Sequence, residues 1–206
     1  MMSSGYAISS ERVEMSILQR EEIEAMGFRA VGLDVRISRR ASFHGAERIE
    51  IGDSTRIDDF CVLSAGEGGI RIGAHVHVAA FCLLAGKGTI VLDDYSNLSS
   101  RVSVYSSNDD YSGEWMTNPT IPAAFTGVTH APVRVGRHVI IGSGSVILPG
   151  VTLHEGAAVG ALSMVNKDCA PFTIYAGAPV RRLRERSRRL LQVEARFASE
   201  FLKNEG

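Results

Sequence analysis

The sequence predicts an all-β solenoid, a parallel β-helix flanked by a short N-terminal helix and a C-terminal α-helix. Three observations predict it. Apolar residues recur six apart in Val135, Ile141, Ile147, Leu153, Val159 and Val165. The position four after each rung is small or β-branched, as in Val139, Ser145, Val151 and Ala157. The same ladder recurs upstream in four blocks. An α-helix repeats every 3.6 residues and an alternating strand every two. Neither gives a period of six, whereas a hexapeptide unit of one short strand and one turn does.

The elements follow in chain order. Residues 1–30 form an N-terminal segment, polar and irregular up to residue 16 and therefore expected to be loose. Within it Gln19 to Met26 reads as a helix stopped by Gly27 and placed to cap the first coil. The solenoid spans residues 31–168. Its rungs are Val31, Ile37 and Phe43, then Ile51, Ile57 and Leu63, then Ile72, Val78 and Leu84, then Leu92, Leu98 and Val104, before the ladder that starts at Val135. Three rungs make one coil, and every insertion between coils follows the third rung, so all insertions must leave the prism at one corner. The longest, residues 105–132 (Tyr105 to Pro132), is the first place to look for a site, because loops of that length in a regular fold usually carry function. Glycines such as Gly136, Gly142 and Gly160, one after a rung, are expected to take the bends together with polar residues. Residues 169–206 form a C-terminal segment in which Leu183, Leu190, Leu191, Val193, Phe197, Phe201 and Leu202 recur with helical spacing, which predicts a helix of about six turns from Val180 onward.

Composition narrows the function. The chain has 206 residues, 45% hydrophobic, with a net charge of -1, so one main domain is expected and the charge balance favours neither a nucleic-acid binder nor a polybasic membrane module. Cys61, Cys82 and Cys169 are odd in number and widely spaced, which reads as reduced thiols in a cytoplasmic protein. No stretch approaches the roughly 20 apolar residues of a membrane span, and the N-terminus lacks the apolar core of a signal peptide.

Over Gly136 to Arg181 the chain carries IGSGSVILPGV and closes with AGAPVR. This resembles the terminal coils of the hexapeptide-repeat acyltransferases. Upstream, RIDDFCVLSAG, HVAAFCLLAG, NLSSRVSVYSSNDDYSG and NPTIP resemble the branch that N-acetylates nucleotide-linked amino sugars, in particular the dTDP-4-amino-4,6-dideoxyglucose N-acetyltransferases. The resemblance implies a left-handed coil, a homotrimer with its site between subunits, acetyl-CoA as donor, and a nucleotide-linked amino deoxysugar as acceptor, for surface polysaccharide biosynthesis; no metal is expected, because His75 and His77 lack a third ligand. Left-handedness runs against the general rule for parallel crossovers and rests on the resemblance alone.

The same resemblance places backbone amides of the last coils along the CoA arm, which makes Gly142, Ser143, Gly160 and Ala161 candidate contacts, with Lys167 and Arg181 near the nucleotide phosphates. In the corner loop, Asp109 and Asp110 are candidate catalytic carboxylates, flanked by Asn108 and Tyr111 as substrate contacts. Acidic residues beside Ser and Gly are also common turn formers. Asn97, Ser99 and Arg101, with Ser100 between them, form a polar run before the loop that suits sugar hydroxyls or diphosphate. His77 precedes rung Val78 and should point outward, where it is a second candidate for proton handling. No histidine lies between Tyr105 and Gly127, where similar sugar O-acetyltransferases place a base. A hydroxyl needs a base before it attacks, but an amine with a pKa of about 7.7 to 8.0 is already partly neutral at cellular pH. The acceptor is therefore expected to be an amine.

Three other readings compete. The first is a sugar O-acetyltransferase. The second is a zinc protein of the left-handed β-helix carbonic anhydrase type through His75 and His77, which lacks a third ligand at a convincing offset. The third is a solenoid that serves only as an assembly module, since fold alone does not imply function.

Overall fold

The computed structural model describes residues 16–204. It shows a left-handed parallel β-helix of about seven turns with two helices, α1 (Arg20–Ala25) and α2 (Arg189–Asn204). The expectation of a loose N-terminal segment falls on residues outside those described.

Three parallel sheets form the faces of the prism. The first stacks Ala30–Val31, Ile49–Ile51, Ile70–Ile72, Ile90–Leu92, Val133–Val135 and Thr152–Leu153. The second stacks Arg36–Ile37, Arg56–Ile57, His77–Val78, Asn97–Leu98, Ile140–Ile141 and Ala158–Val159, then Thr173–Ala176 and an antiparallel last strand, Arg181–Glu185. The third stacks Ser42–His44, Val62–Ala65, Leu83–Gly86, Ser103–Tyr105, Val146–Ile147 and Met164–Val165. Register is kept coil to coil, so Ile57 pairs with Val78 and Leu98 with Ile141. The rungs thus superpose along the axis. From Ile51 to Val165 every rung is buried, and each buried aliphatic side chain contributes about 1.5–3 kcal/mol. Val31 and Phe43, on the first coil, are only partly buried. Helix α1 closes that end with Ile23, and Phe28 meets Phe43 edge to face at 4.9 Å.

All insertions leave at the corner between the third face and the next first face, as the spacing predicts. The bends are built differently from expectation. The left-handed residue of a corner lies three after the rung and is seldom glycine: His75 (φ 55°), Tyr95 (φ 58°) and His138 (φ 58°) at the first corner, Phe60 (φ 60°), Phe81 (φ 64°) and Arg101 (φ 63°) at the second. Gly142, one after its rung, has instead no room for a side chain, because a Cβ there would lie 2.4 Å from the Ala161 nitrogen. Its role is close coil stacking rather than a positive φ.

The C-terminal prediction also needs correction. Residues 181–185 are a strand, and the helix starts at Arg189. The open edge of Thr173–Ala176 offers a row of backbone partners, and pairing with it outweighs a helical spacing carried there only by Leu183. Helix α2 folds back onto the first corner, where Phe197 meets the ring of His75 at 5.4 Å and Glu194 pairs with Arg137 and His138. Among the described residues no helix is long and apolar enough to cross a membrane. All three cysteines are free and buried.

Candidate active site

The second corner, between the second and third faces, brings together most of the predicted contacts. Ser99 donates its N–H to Ile141 of the next coil, and Gly144 donates to Ser100, so Ser99, Ser100 and Arg101 lie directly above Gly142 and Ser143. Leu162 donates to Ser143, which adds Gly160 and Ala161 one coil further on. Gly142 and Gly160 spend their own N–H groups on Val159 and Tyr175 within the solenoid. They cannot also hold a ligand through those amides, which corrects the expectation for these two residues. Among the described residues the N–H groups of Ser143 and Ala161 have no acceptor, and these are the two free to line a pantetheine arm. Lys167 and Arg181 follow on the last turns, both exposed and without an ion-pair partner among the described residues.

The corner loop leaves from the other end of the third face. Its neck is a short antiparallel pair, Ser107–Asn108 with Thr129–His130, tied by Ser107 Oγ to His130 Nδ1 at 2.7 Å. The two carboxylates then part company. Asp110 accepts from the hydroxyl and N–H of Ser112, the N–H of Gly113 and the N–H of Trp115. The Ser112 hydroxyl bond, supported by the backbone bonds, holds its carboxyl below the usual range. Asp110 is therefore the turn former of the loop. Asp109 is exposed, and it lines a shallow cleft of about 480 Å³ with Tyr105, Asn108, Tyr111, Val146 and others. Asp109, Asn108 and Tyr111 are brought together; Asp110 is not available to them. Tyr111 is 87% exposed, and Trp115, Met116 and Phe125 add further exposed apolar surface on the same loop.

Within one protomer the two groups of residues stay apart. Ser99 and Arg101 lie at the corner before the strand Ser103–Tyr105 and Asp109 on the loop that follows it, and neither Ser99 nor Arg101 lines the cleft of Asp109.

His77 does point outward, from the second face. Its Nε2 lies 2.8 Å from Asp58 Oδ2, and Asp58 Oδ1 accepts from Arg56 Nε at 2.6 Å. Burial works to raise the Asp58 carboxyl, but the bonds from His77 and Arg56 outweigh it and leave the group below its ordinary range. Asn97 pairs in register with His77, and its Oδ1 is buried without a partner. Asp58 was not singled out by the sequence, since an aspartate one after a rung looks like any corner residue. A depressed carboxyl contributes stability that is full above its unfolded pKa of about 3.9 and is lost as the pH falls through its lower folded value. The difference in urea midpoint between native protein and Asp58→Asn is thus expected to be full at about pH 6 and to shrink below about pH 4. A difference that grows on acidification would contradict this pairing. Among the described residues no cluster of His, Cys, Asp or Glu could hold a metal ion.

A left-handed β-helix with unspent corner amides, a polar run and a carboxylate-bearing insertion at a neighbouring corner defines an acyltransferase of the hexapeptide-repeat class. No protein-family model matches the chain. It is 51% identical over 183 residues to the dTDP-4-amino-4,6-dideoxy-D-glucose acyltransferase of Escherichia coli, covering 89% of this chain and 95% of that one. The chain belongs to this family of nucleotide-sugar acyltransferases. A crystal structure of AntD, an N-acyltransferase from Bacillus cereus, in complex with dTDP and 3-hydroxybutyryl-CoA superposes with a TM-score of 0.87 at 41% identity, over 90% of this chain and 98% of that chain. A maltose O-acetyltransferase from Clostridium difficile, at 21% identity and a TM-score of 0.55, over 89% of this chain and 80% of that chain, shares the fold alone.

Proposed function

We propose that the protein transfers the acetyl group of acetyl-CoA to the 4-amine of dTDP-4-amino-4,6-dideoxyglucose, in the cytoplasm, for surface polysaccharide biosynthesis. The observation that carries this reading is the 51% identity, over nearly the whole length of both chains, to an acyltransferase of that sugar. Serine variants of AntD, also similar over most of their length, have been crystallised with the same amino sugar and coenzyme A.

The amine attacks the thioester carbonyl, the C–S bond breaks to release CoA, and one proton leaves the nitrogen. The N–H groups of Ser143 and Ala161 hold the pantetheine arm, with Gly142 and Gly160 shaping the wall beneath it and Lys167 and Arg181 meeting the phosphates. Ser99, Asn97 and Arg101 position the acceptor. Asp109, with Asn108 and Tyr111, orients the amine and receives its proton, and His77 is held by Asp58 as a second route. Crystal structures of AntD variants alter a serine and an aspartate ten positions apart. Ser99 and Asp109 share that spacing here, as do Ser100 and Asp110. The commitment of the Asp110 carboxylate to its own turn favours the first pair.

The placement of these groups at two different corners supports a homotrimer with its site between subunits. The second corner of one protomer and the loop of the next complete one site, and the exposed Tyr111, Trp115, Met116 and Phe125 gain a surface to cover. Light scattering is expected to give a trimer, and an active monomer would overturn this arrangement. The function is tested by thiol release from acetyl-CoA across nucleotide-linked 3-amino, 4-amino and hydroxyl sugars, with and without a chelator. The 4-amino sugar is expected to react fastest and the chelator to change nothing. Faster acetylation of a hydroxyl sugar would restore the O-acetyltransferase reading, and loss of activity restored only by zinc would restore the metal-dependent one.

A further inference from the structure

Cys61 and Cys82 stand four residues after the rungs Ile57 and Val78, at equivalent places on successive coils inside the second corner. Val62 donates its N–H to the Cys82 carbonyl at 2.9 Å and pairs in register with Leu83. The two Cα atoms are thus one strand spacing apart, about 4.8 Å, within the roughly 4.4–6.8 Å that a disulfide spans. Both thiols are free and buried, and the equivalent positions on the coils to either side, Ala41 and Val102, carry no reactive group. The residues just before them, Phe60 and Phe81, are half exposed and stack on one another in a column at 5.0 Å, so the pair lies one residue beneath the surface.

Each thiol also holds a turn. Cys61 Sγ donates to the Ala79 carbonyl at 3.1 Å, and Cys82 Sγ donates to the Ser99 carbonyl at 3.2 Å. The second thiol therefore touches the backbone of a proposed acceptor contact. The two differ in acidity. A bond from the Cys82 thiol favours the thiolate of Cys61 and holds its pKa below the ordinary thiol range, whereas the same contact and burial push the Cys82 thiol up. Cys169, beside Leu153 on the first face, is pushed up to about 11 by burial. Cys61 is thus the thiol readiest to act as a nucleophile, and it has a second thiol one coil away.

We infer that Cys61 and Cys82 form a reversible disulfide when a peroxide reaches them, and that this bridge turns the acceptor site off through Ser99. The Cys61 thiolate attacks one peroxide oxygen, the O–O bond breaks, and the departing oxygen takes up a proton and leaves as water. The Cys82 sulfur then attacks the sulfenic sulfur of Cys61 and gives up its proton, the S–O bond breaks, and a second water leaves. Two thiols lose two electrons and two protons, and the peroxide is reduced to two waters. The bridge removes the Cys82 donor from the Ser99 carbonyl. It also draws the two corners together, because in-register Cβ atoms stand about one strand spacing apart and a relaxed disulfide brings them to about 3.5–4.5 Å. That strain leaves the bridge open to reduction by a small dithiol, which suits a switch rather than a permanent tie. The bridge stands on the fold alone, and its effect on turnover rests on the proposed role of Ser99.

Hydrogen peroxide added to the full-length protein tests this, with free thiols titrated after denaturation and peptides mapped by mass. The count is expected to fall from three thiols to one, with a Cys61–Cys82 cross-linked peptide two hydrogens lighter than its parts and Cys169 still free. The kcat/KM for the amino sugar should fall about tenfold or more, as a small displacement of a positioning group does, and dithiothreitol should restore both thiols and rate. Cys61→Ser, whose hydroxyl can still bond the Ala79 carbonyl, is expected to keep its untreated rate and to hold it in peroxide. Three thiols retained, oxidation of Cys169 first, or a bridge between copies of the chain overturns the inference. So does equal loss of rate in native protein and Cys61→Ser, or a complete Cys61–Cys82 bridge with undiminished rate. If untreated protein acetylates no amino sugar, the proposed function fails, and the thiol count still decides whether the bridge forms.

Discussion

Asp109→Asn is expected to lower the turnover of the amino sugar about 100-fold or more, within the range of general acid and base groups. The asparagine keeps the size of the side chain and removes the charge that receives the amine proton. The loop should keep its shape, since its turn is held by the Asp110 carboxylate and not by Asp109. Asp110→Asn should act differently. One carboxylate oxygen serves Ser112 and the other serves Gly113 and Trp115, and an amide can replace only one of them. Its expected signature is a raised KM and a loop more open to proteolysis, with a smaller loss of kcat. In the native enzyme the rate should rise from pH 6 to pH 8 as the free amine of the acceptor forms, given an amine pKa of about 7.7 to 8.0. His138 and His154, which lie outside the loop, should tolerate replacement in this assay, whereas replacing His130 removes the tie to Ser107 at the loop neck and should raise KM. Steady-state kinetics of these variants at pH 6, 7 and 8 provide the measurement. Full kcat in Asp109→Asn, or a larger loss of kcat in Asp110→Asn, would reverse the roles assigned to the two carboxylates.

Gly142→Ala is expected to destabilise the solenoid by about 2–3 kcal/mol, at the upper end for overpacking, because the obstacle is backbone. The added Cβ would lie 2.4 Å from the nitrogen and 2.8 Å from the Cα of Ala161, so two coils would have to part. Gly160→Ala is the control. Its Cβ would lie 3.1 Å from the Ala176 Cβ and at ordinary contact distance, 3.6 Å, from the Tyr175 oxygen, and the expected cost is below about 1 kcal/mol. Urea denaturation followed by far-ultraviolet circular dichroism separates the two. Equal midpoints would show that the coil spacing is softer than this geometry implies. The contrast also bears on the donor site, since neither glycine has an N–H to spare for a ligand and the tolerance of each reports stacking alone.

The period of six was enough to predict the solenoid, because a residue buried on the axis must recur once per strand and turn, and nothing else in a chain repeats at that interval. The offsets between coils likewise placed every insertion at one corner, which is why residues 105–132 and their carboxylates were legible as a candidate site. Left-handedness came only through the family motifs around Gly142 and Pro149, since the spacing of rungs is the same for either hand. Other assignments depended on neighbours distant in sequence. Asp109 and Asp110 are the same residue type side by side, and only the hydrogen bonds of the folded loop separate a turn former from an open carboxylate. Gly142 looked like a bend and proved to be a stacking position, because the atom it must avoid belongs to Ala161, a coil away. Arg181–Glu185 extended the sheet because an open strand edge lay beside it. Phe60 and Phe81 are about twenty residues apart in the chain, so no local pattern links them. They form one column only because parallel coiling with kept register sets equivalent corners one strand spacing apart.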